Sequence, residues 1–467
     1  MTLWRPKSGQ LTRPIYLSLQ RQFIDAIESG ALFAGEQLPT HRDLAYDLNI
    51  SVQTVSRAYE ALRDLGYVTG EVGRGSFVRA SRGDNAVPFL PNRGEELIDL
   101  SLLKPALESL HRDAMSRALH ALADRLPFSL VQSFRPDAAV QTQISGISNW
   151  LNGHAVRASP DNILLTNGAV SALTAALMTV APPGAVVVAE AISFHVLKPL
   201  CRYLGLRLFS AEMDEQGLCP EAFEHACRST NPSVVVLFPT ASGPKAGVMS
   251  TERRNEIVAI AEKYSLFIIE DDVLGKLIPD APPSIQSIAP DRTFYLSSLS
   301  KTIMPGLHFG VLVCPDIKIT SARNRHMMTN WMANPLMVDI AQGWMSDGTA
   351  DELILWQRRE LAHRQGLVAK ALSGFDYSCR PCGLHIWLPL PSAWDEAEFV
   401  QQLRRQNVAV AGSLPFIMEE QSSGGKIAPA NAVRICLGTV GREPLREALA
   451  VMRGLLDGQS ERPLPVF

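Results

Sequence analysis

A lysine set among hydroxyls between two apolar runs is the group in this sequence best placed for covalent chemistry. The segment Tyr295-Leu-Ser-Ser-Leu-Ser-Lys301-Thr-Ile-Met-Pro305-Gly306-Leu-His308-Phe-Gly310-Val-Leu-Val-Cys314 surrounds Lys301 with Ser297, Ser298, Ser300 and Thr302. Phe294 to Leu296 and Val311 to Val313 flank it and read as buried strands that open onto the polar loop. A lysine desolvated by such a rim has a lowered pKa, and its amine becomes a nucleophile for aldehydes, giving a Schiff base. The hydroxyls of Ser300 and Ser298 can bind a phosphate carried by the same aldehyde. A lysine in a serine-rich loop is more often simply solvated, so this pattern alone only suggests the chemistry.

The elements that must position Lys301 form an alternating series. A helix starts at Gly168, and the runs Ala185-Val-Val-Val-Ala189, Ser233-Val-Val-Val-Leu-Phe238 and Leu266-Phe-Ile-Ile269 follow, with a helix over 250–264 between the last two. Short, wholly apolar strands separated by helices predict an α/β domain with a mostly parallel sheet covered on both faces. Ligands in such sheets sit beyond the strand C-termini. Three candidate sites fall there: the turn Thr166-Asn-Gly168-Ala169-Val170, the acidic pair Asp271-Asp272, and the Lys301 loop. Backbone amides at a helix start bind phosphate, a buried carboxylate keeps a pyridine nitrogen protonated, and the amine takes an aldehyde. Pyridoxal 5'-phosphate (PLP) needs those three handles.

Ser298-Leu-Ser-Lys301-Thr-Ile-Met-Pro-Gly306 resembles the S-x-S-K-x-x-x-P-G motif of fold-type I aminotransferases, and the order of motifs resembles that family over 98–450. The resemblance implies a PLP-dependent transferase fold with a smaller α+β subdomain. Position by position it implies that Gly168 and Ala169 form the phosphate turn, Phe194 stacks on the cofactor ring and Asp271 faces the pyridine nitrogen. Ser298 and Ser300 would be phosphate ligands, Lys301 the Schiff-base lysine, and Arg434 the clamp for an effector carboxylate. Asp272 as the inward carboxylate, a core role for Phe194 and an internal partner for Arg434 stay open. The chain also departs from the family: Gly243 stands where Asn is usual, Leu274 where Tyr is usual, His308 where Arg is usual, and Val170 where Gln is frequent. Each lost hydrogen bond to the cofactor costs on the order of 1–3 kcal/mol, which points to looser binding or to sensing rather than turnover.

The first eighty residues read differently. Ile15, Leu19, Phe23, Ala26 and Ile27 recur at helical spacing after Pro14. Thr40 caps a second helix over 41–48, and Ser51 caps a third from Val52 to about Leu65. A short pair of strands around Gly73-Arg74-Gly75 follows. Two helices joined by a tight turn, the second polar at its start, form a helix-turn-helix suited to a major groove. Leu38-Pro-Thr-His-Arg42-Asp-Leu-Ala45, Thr54-Val-Ser-Arg-Ala-Tyr59 and Gly73-Arg-Gly-Ser-Phe-Val78 resemble the winged-helix head of GntR-type repressors. By that resemblance Arg42 and Arg74 contact phosphate and minor groove, and Gln53, Thr54 and Arg57 reach base edges or phosphates. Val52 stands where the family often has Arg. A GntR head on an aminotransferase-like body resembles the MocR subfamily of transcriptional regulators.

Composition sets the limits. A chain of 467 residues is too long for one core. We expect a DNA-binding domain over 1–80, a linker over 81–97 and an effector domain over 98–467. The net charge of -3, and nine Lys/Arg against eight Asp/Glu in residues 1–80, leave DNA binding to a local patch. Seven scattered cysteines are unlike a secreted disulfide framework, and the single Cys379-Arg-Pro-Cys382 pair lacks a second ligand pair for a metal. No apolar stretch reaches bilayer length, so a cytoplasmic location without membrane contact is expected. The function expected is that of a PLP-dependent regulator. It binds a double-stranded operator as a homodimer and senses a small amino compound that replaces the cofactor lysine. It is expected not to be an enzyme. The alternatives are an active aminotransferase with an accessory DNA-binding head, and a regulator whose body only dimerises.

Overall fold

The computed structural model describes residues 4–28, 32, 35–64, 67–71, 75–78, 97–126, 128–132, 136–241, 243–418 and 430–458. The chain divides into two compact units, Met1–Asn92 and Arg93–Phe467. Most of the expected linker, and Arg74, lie outside the described residues.

In the first unit α1 (Ile15–Glu28), α2 (His41–Leu48) and α3 (Val52–Asp64) precede the antiparallel pair β1 (Val68–Glu71) and β2 (Gly75–Val78). The ends of α2 explain its length. The Thr40 hydroxyl accepts the Asp43 N–H at 3.2 Å, and Asn49 closes the helix in the left-handed region at φ 53°. Ser51 then accepts the Thr54 N–H at 3.1 Å and opens α3 after a turn of three residues. Leu19, Phe23, Leu44, Val55 and Leu62 are fully buried between the helices, and the Tyr59 hydroxyl donates to Pro39 O at 3.0 Å. Each such apolar burial contributes roughly 1.5–3 kcal/mol, which fixes the inner face of α3 and leaves its polar face outward.

In the second unit the chain runs β3 (Ile98–Asp99), β4 (Ile163–Thr166), α4 (Gly168–Val180), β5 (Val186–Glu190), β6 (Arg207–Ala211), β7 (Val234–Leu237), α5 (Thr251–Lys263) and β8 (Phe267–Asp271). It continues through β9 (Thr293–Ser298), β10 (Gly310–Val313), β11 (His385–Pro389), β12 (Val408–Ala409), β13 (Ala411–Gly412), β14 (Ala432–Cys436) and α6 (Arg442–Leu456). Seven strands form one sheet in the order β4-β10-β9-β8-β7-β5-β6. All neighbours are parallel except those of β10, which runs antiparallel to both β9 and β4.

Alternate side chains of these strands enter separate cores, as a pleat requires. Val187, Val234, Val236, Ile269 and Phe294 pack on one face with Ala172, Leu173 and Ala176 of α4. Val186, Val188, Val235 and Ile268 pack on the other with Phe223, Ile257 and Ala261. Both faces are covered, which is why the strands are apolar except at their ends, where Glu190, Asp271 and Ser298 stand. The smaller subdomain is a three-stranded antiparallel sheet, β11-β14-β13, backed by α6. Its neighbour β12 pairs in parallel with β3, so the first strand of the unit is held by its C-terminal part. Among the described residues no helix is long and apolar enough to cross a membrane.

The entry of β10 demands glycine at its first position. A methyl on Gly310 would lie 2.6 Å from both the Gly168 carbonyl carbon and Thr166 Oγ1. Gly310→Ala should therefore destabilise the second unit by about 1–3 kcal/mol, seen as a lower chemical-denaturation midpoint. An unmoved midpoint would show that this close approach is not maintained.

Candidate functional site

One rung of the sheet assembles the site. Ser298 pairs with Gly310, and Gly310 with Thr166, so the lysine loop and the turn into α4 start from neighbouring strand ends. Asp271 ends β8 one strand further along, paired with Leu296.

On the phosphate side, Gly168 opens α4 with φ +78°, a conformation glycine adopts without strain. The helix is anchored by its cap: Asn167 Nδ2 donates to Met332 O at 3.1 Å and its Oδ1 accepts from Asn334 N at 3.0 Å. His308, itself at φ 43°, lays its ring over the turn; a methyl on Gly168 would sit 3.4 Å from that imidazole. Ala169 follows in the first turn of α4, partly buried. The Ser298 hydroxyl donates to Phe309 O at 2.7 Å and accepts the Ser300 N–H at 3.2 Å, so it holds the loop in shape. The Ser300 hydroxyl is buried with no partner, and so is that of Ser171, one turn into α4, which the sequence reading did not single out. Helix amides with two unspent hydroxyls make an anion cradle.

On the amine side, Lys301 Nζ donates to Leu103 O at 2.5 Å. Burial lowers its pKa, Arg434 lowers it further, and Cys436 and Asp271 oppose the change. Asp271 is buried at the foot of the site, where burial pushes its carboxyl up to about 7 against the pull of the Val273 N–H and of Lys301. Asp272 turns the other way: its Oδ2 accepts from Tyr295 OH at 2.7 Å, and Lys276 Nζ donates to that same phenol oxygen at 3.1 Å. Of the two carboxylates it is Asp271 that shares a field with Lys301.

Arg434 closes the far wall. Its guanidinium lies 4.6 Å from the Phe416 ring centre, Nη2 donates to Ser101 O at 2.7 Å, and Nε is buried without a partner. His195 packs edge-on against both Phe194 (4.7 Å) and Phe416 (5.9 Å). Burial, reinforced by the charges of Arg434 and Lys301, pushes its pKa down to about 3, so it presents a neutral ring beside two cations. Phe194 lies partly buried on this wall, 6.2 Å from Phe238.

The departures from the family have structural counterparts. Leu274 is fully buried among Leu277, Leu361 and Leu384 in the subdomain core. The Gly243 and Pro244 carbonyls each lie 3.0 Å from His385 Nε2, and a side chain at 243 would meet Phe238 only at 3.6 Å, so there is room for a larger residue. The site fits PLP on the donors present: an anion cradle, a partly buried amine with a lowered pKa, and a carboxyl that titrates near neutrality where a ring nitrogen requires one. Cys379 and Cys382 are free thiols, and no group of metal ligands occurs among the described residues.

In the first unit Arg42 and Gln53 are exposed and Thr54 partly so, its hydroxyl 2.8 Å from that of Ser51. Arg57, expected to reach base edges or phosphates, is exposed with its guanidinium 4.4 Å from the Tyr16 ring centre.

The fold and these sites define a fold-type I aminotransferase body joined to a winged-helix DNA-binding head. The family model for aminotransferase class I and II matches residues 98–451, and that for bacterial regulatory proteins of the gntR family matches residues 15–78. The chain belongs to the aminotransferase class I and II family and, with its gntR head, to the transcriptional regulators of MocR architecture. It is 27% identical over 466 residues to the uncharacterized HTH-type transcriptional regulator YdeF of Bacillus subtilis, covering 97% of each chain. It is 25% identical to the vitamin B6 salvage pathway transcriptional repressor PtsJ of Salmonella typhimurium, covering 92% of this chain and 95% of that one. An archaeal alanine:glyoxylate aminotransferase shares the body fold, with a TM-score of 0.70 at 20% identity over 78% of this chain and 91% of that one.

Glu190, the buried end of β5, supplies a pH test. Burial pushes its carboxyl from an ordinary 4.5 up to about 8, with the Leu218 N–H and Lys245 opposing. Between those values the unfolded chain binds fewer protons than the folded one. The contribution of Glu190 to stability is thus full below 4.5 and lost as pH rises through 8. Glu190→Gln cannot ionise, so its urea midpoint should fall less than the parent's across that range. Parallel profiles would show that Glu190 is not buried in its neutral form.

Proposed function

We propose that the body binds PLP at Lys301 and senses an amino compound carrying an anionic group, and that the head binds an operator as part of a homodimer. The observation that carries this is the convergence of a partly buried amine, a buried carboxyl and two unspent hydroxyls at one set of strand ends. The relative PtsJ, a transcriptional repressor of a vitamin B6 salvage pathway, supports the same ligand class.

PLP, when bound, supplies a reactive carbonyl and an electron sink. The start of α4, Ser300, Ser171 and His308 hold its phosphate. Asp271 holds a proton at the ring nitrogen. Lys301, which burial keeps readier to lose its proton than a solvated lysine, would be the residue that holds the cofactor through its carbonyl. Arg434 takes the effector's carboxylate, and the neutral His195 adds no competing charge beside it. An effector that binds two arrangements of the body with different free energy shifts their populations, which is the signal a regulator needs. A retained aminotransferase activity is the second reading, favoured by the presence of Lys301, Asp271 and Arg434 together. The burial of Leu274 in the core and the imidazole at position 308 weigh against it. Release of a keto acid from a bound amino acid would separate the two readings.

The parent chain with added PLP should show a visible band that borohydride fixes on the Lys301 peptide by mass. In Lys301→Ala the band and the effector response should vanish while the far-ultraviolet dichroism stays. Labelling spread over surface lysines would overturn the assignment. In the head, Gln53→Ala should lose about 1–3 kcal/mol of discrimination at one base position. Arg42→Ala should weaken binding to all sequences and reduce the salt slope by about one. Unchanged affinities at matched salt would refute the recognition surface.

A further inference from the structure

Residues 100–106 cross the candidate cofactor site as an arch with two pinned ends. Upstream, Leu100 is fully buried; its N–H donates to Ala409 O and its carbonyl accepts from Cys436 N, each at 2.8 Å. Downstream, Pro105 and Ala106 are buried, and the Gln357 amide pairs with both N and O of Ala106 at 2.9 Å. Between the pins Leu102, Leu103 and Lys104 are only partly buried. Here the arch touches the two cations of the site: Ser101 O accepts from Arg434 at 2.7 Å and Leu103 O from Lys301 at 2.5 Å. Among the described residues Lys301 Nζ makes no other hydrogen bond, and Arg434 Nε has none.

We propose that the arch is an internal ligand. The carbonyls of Ser101 and Leu103 hold the two cations until PLP engages Lys301 and a carboxylate engages Arg434; residues 102–104 then lift, while Ser101 stays buried with its N–H and hydroxyl on Asp99. This rests on the reading of those two residues given under Proposed function. The chemistry requires the exchange at Lys301. When the neutral amine bonds the cofactor's carbonyl carbon, its two hydrogens leave with the carbonyl oxygen as one water, and the donor that Leu103 accepted is gone. At Arg434 a carboxylate on the side shared by Nε and Nη2 satisfies the unpaired Nε and competes with Ser101 for Nη2. Leu103 O, left without its donor, then has reason to move toward solvent, while Ser101 O keeps the Cys436 thiol at 3.8 Å.

Two consequences follow. The apparent affinity of either ligand is reduced by the fraction of chains with the arch closed. Because both ligands displace one arch, each favours the other to the same extent.

The test is amide hydrogen exchange on the full chain, with and without PLP, with occupancy of Lys301 read by mass after borohydride. Peptides covering 102–107 should exchange roughly tenfold faster or more once Lys301 is modified, while the Cys436 amide, bonded to the pinned Leu100, should keep its rate. Modified Lys301 with unchanged exchange would make the arch a fixed wall and overturn the proposal, while the cofactor assignment would stand. No modification of Lys301 would sink both. Gly438→Ala gives an independent arm, because a methyl there would press to 2.1 Å from Lys104 O and 2.8 Å from Ala106 N. If the folded variant takes up PLP at a severalfold lower half-saturation, closure of the arch opposes binding; a higher value contradicts it. If that variant does not fold, the exchange experiment on the parent decides alone.

Discussion

The rung that joins Thr166, Gly310 and Ser298 is the constraint from which the site follows. It lets an antiparallel strand enter between parallel neighbours, and it brings the start of α4 within reach of the loop that carries Lys301. The approach is so close that no side chain fits at Gly310, and the ring of His308 is thrown across the phosphate turn as the chain reverses. Ser298 spends its hydroxyl on holding that reversal together. Ser300 and Lys301 are thereby fixed by backbone geometry.

The same geometry explains how the site can differ from its family and remain coherent. Leu274 does not leave a gap where a phenol is usual; it fills the subdomain core beneath β14. Gly243 contributes its carbonyl to His385. Burial and the Arg434 charge push His385 down to about 4, so it stays neutral and can donate there. What the site has given up are groups that tune a bound ring, and what it keeps are groups that seat one. That division suits recognition more than turnover.

Much of this was legible in the sequence because the signals were local. Thr40, Asn49 and Ser51 state where the helices of the head begin and end, and the apolar runs at 185–189, 233–238 and 266–269 read as buried strands. Lys301 was suggested by its hydroxyl neighbours and singled out, as was Asp271 over Asp272, by the family resemblance. The rest depended on contacts that no residue type encodes. Ser298 and Ser300 look equivalent until the loop is closed, and Arg57 looks free until α1 brings Tyr16 beneath it. Strand β6 mixes Arg207 and Ser210 into its apolar residues, so it lacks the unbroken run that marks β5 and β7. His195 hides beside Phe194, because nothing in a single histidine foretells two cations facing it.

The contacts over Lys301 and Arg434 are made by carbonyl oxygens, which every residue possesses. The side chains of Leu102 and Leu103 are therefore free to vary without disturbing them, whereas the Ser101 hydroxyl is bonded to Asp99. The inheritance of this feature is carried instead by chain length between the pins and by the smallness of Gly438. An insertion or deletion of one residue there would matter more than any exchange of side chain, so related proteins can share the device while looking unrelated across that stretch.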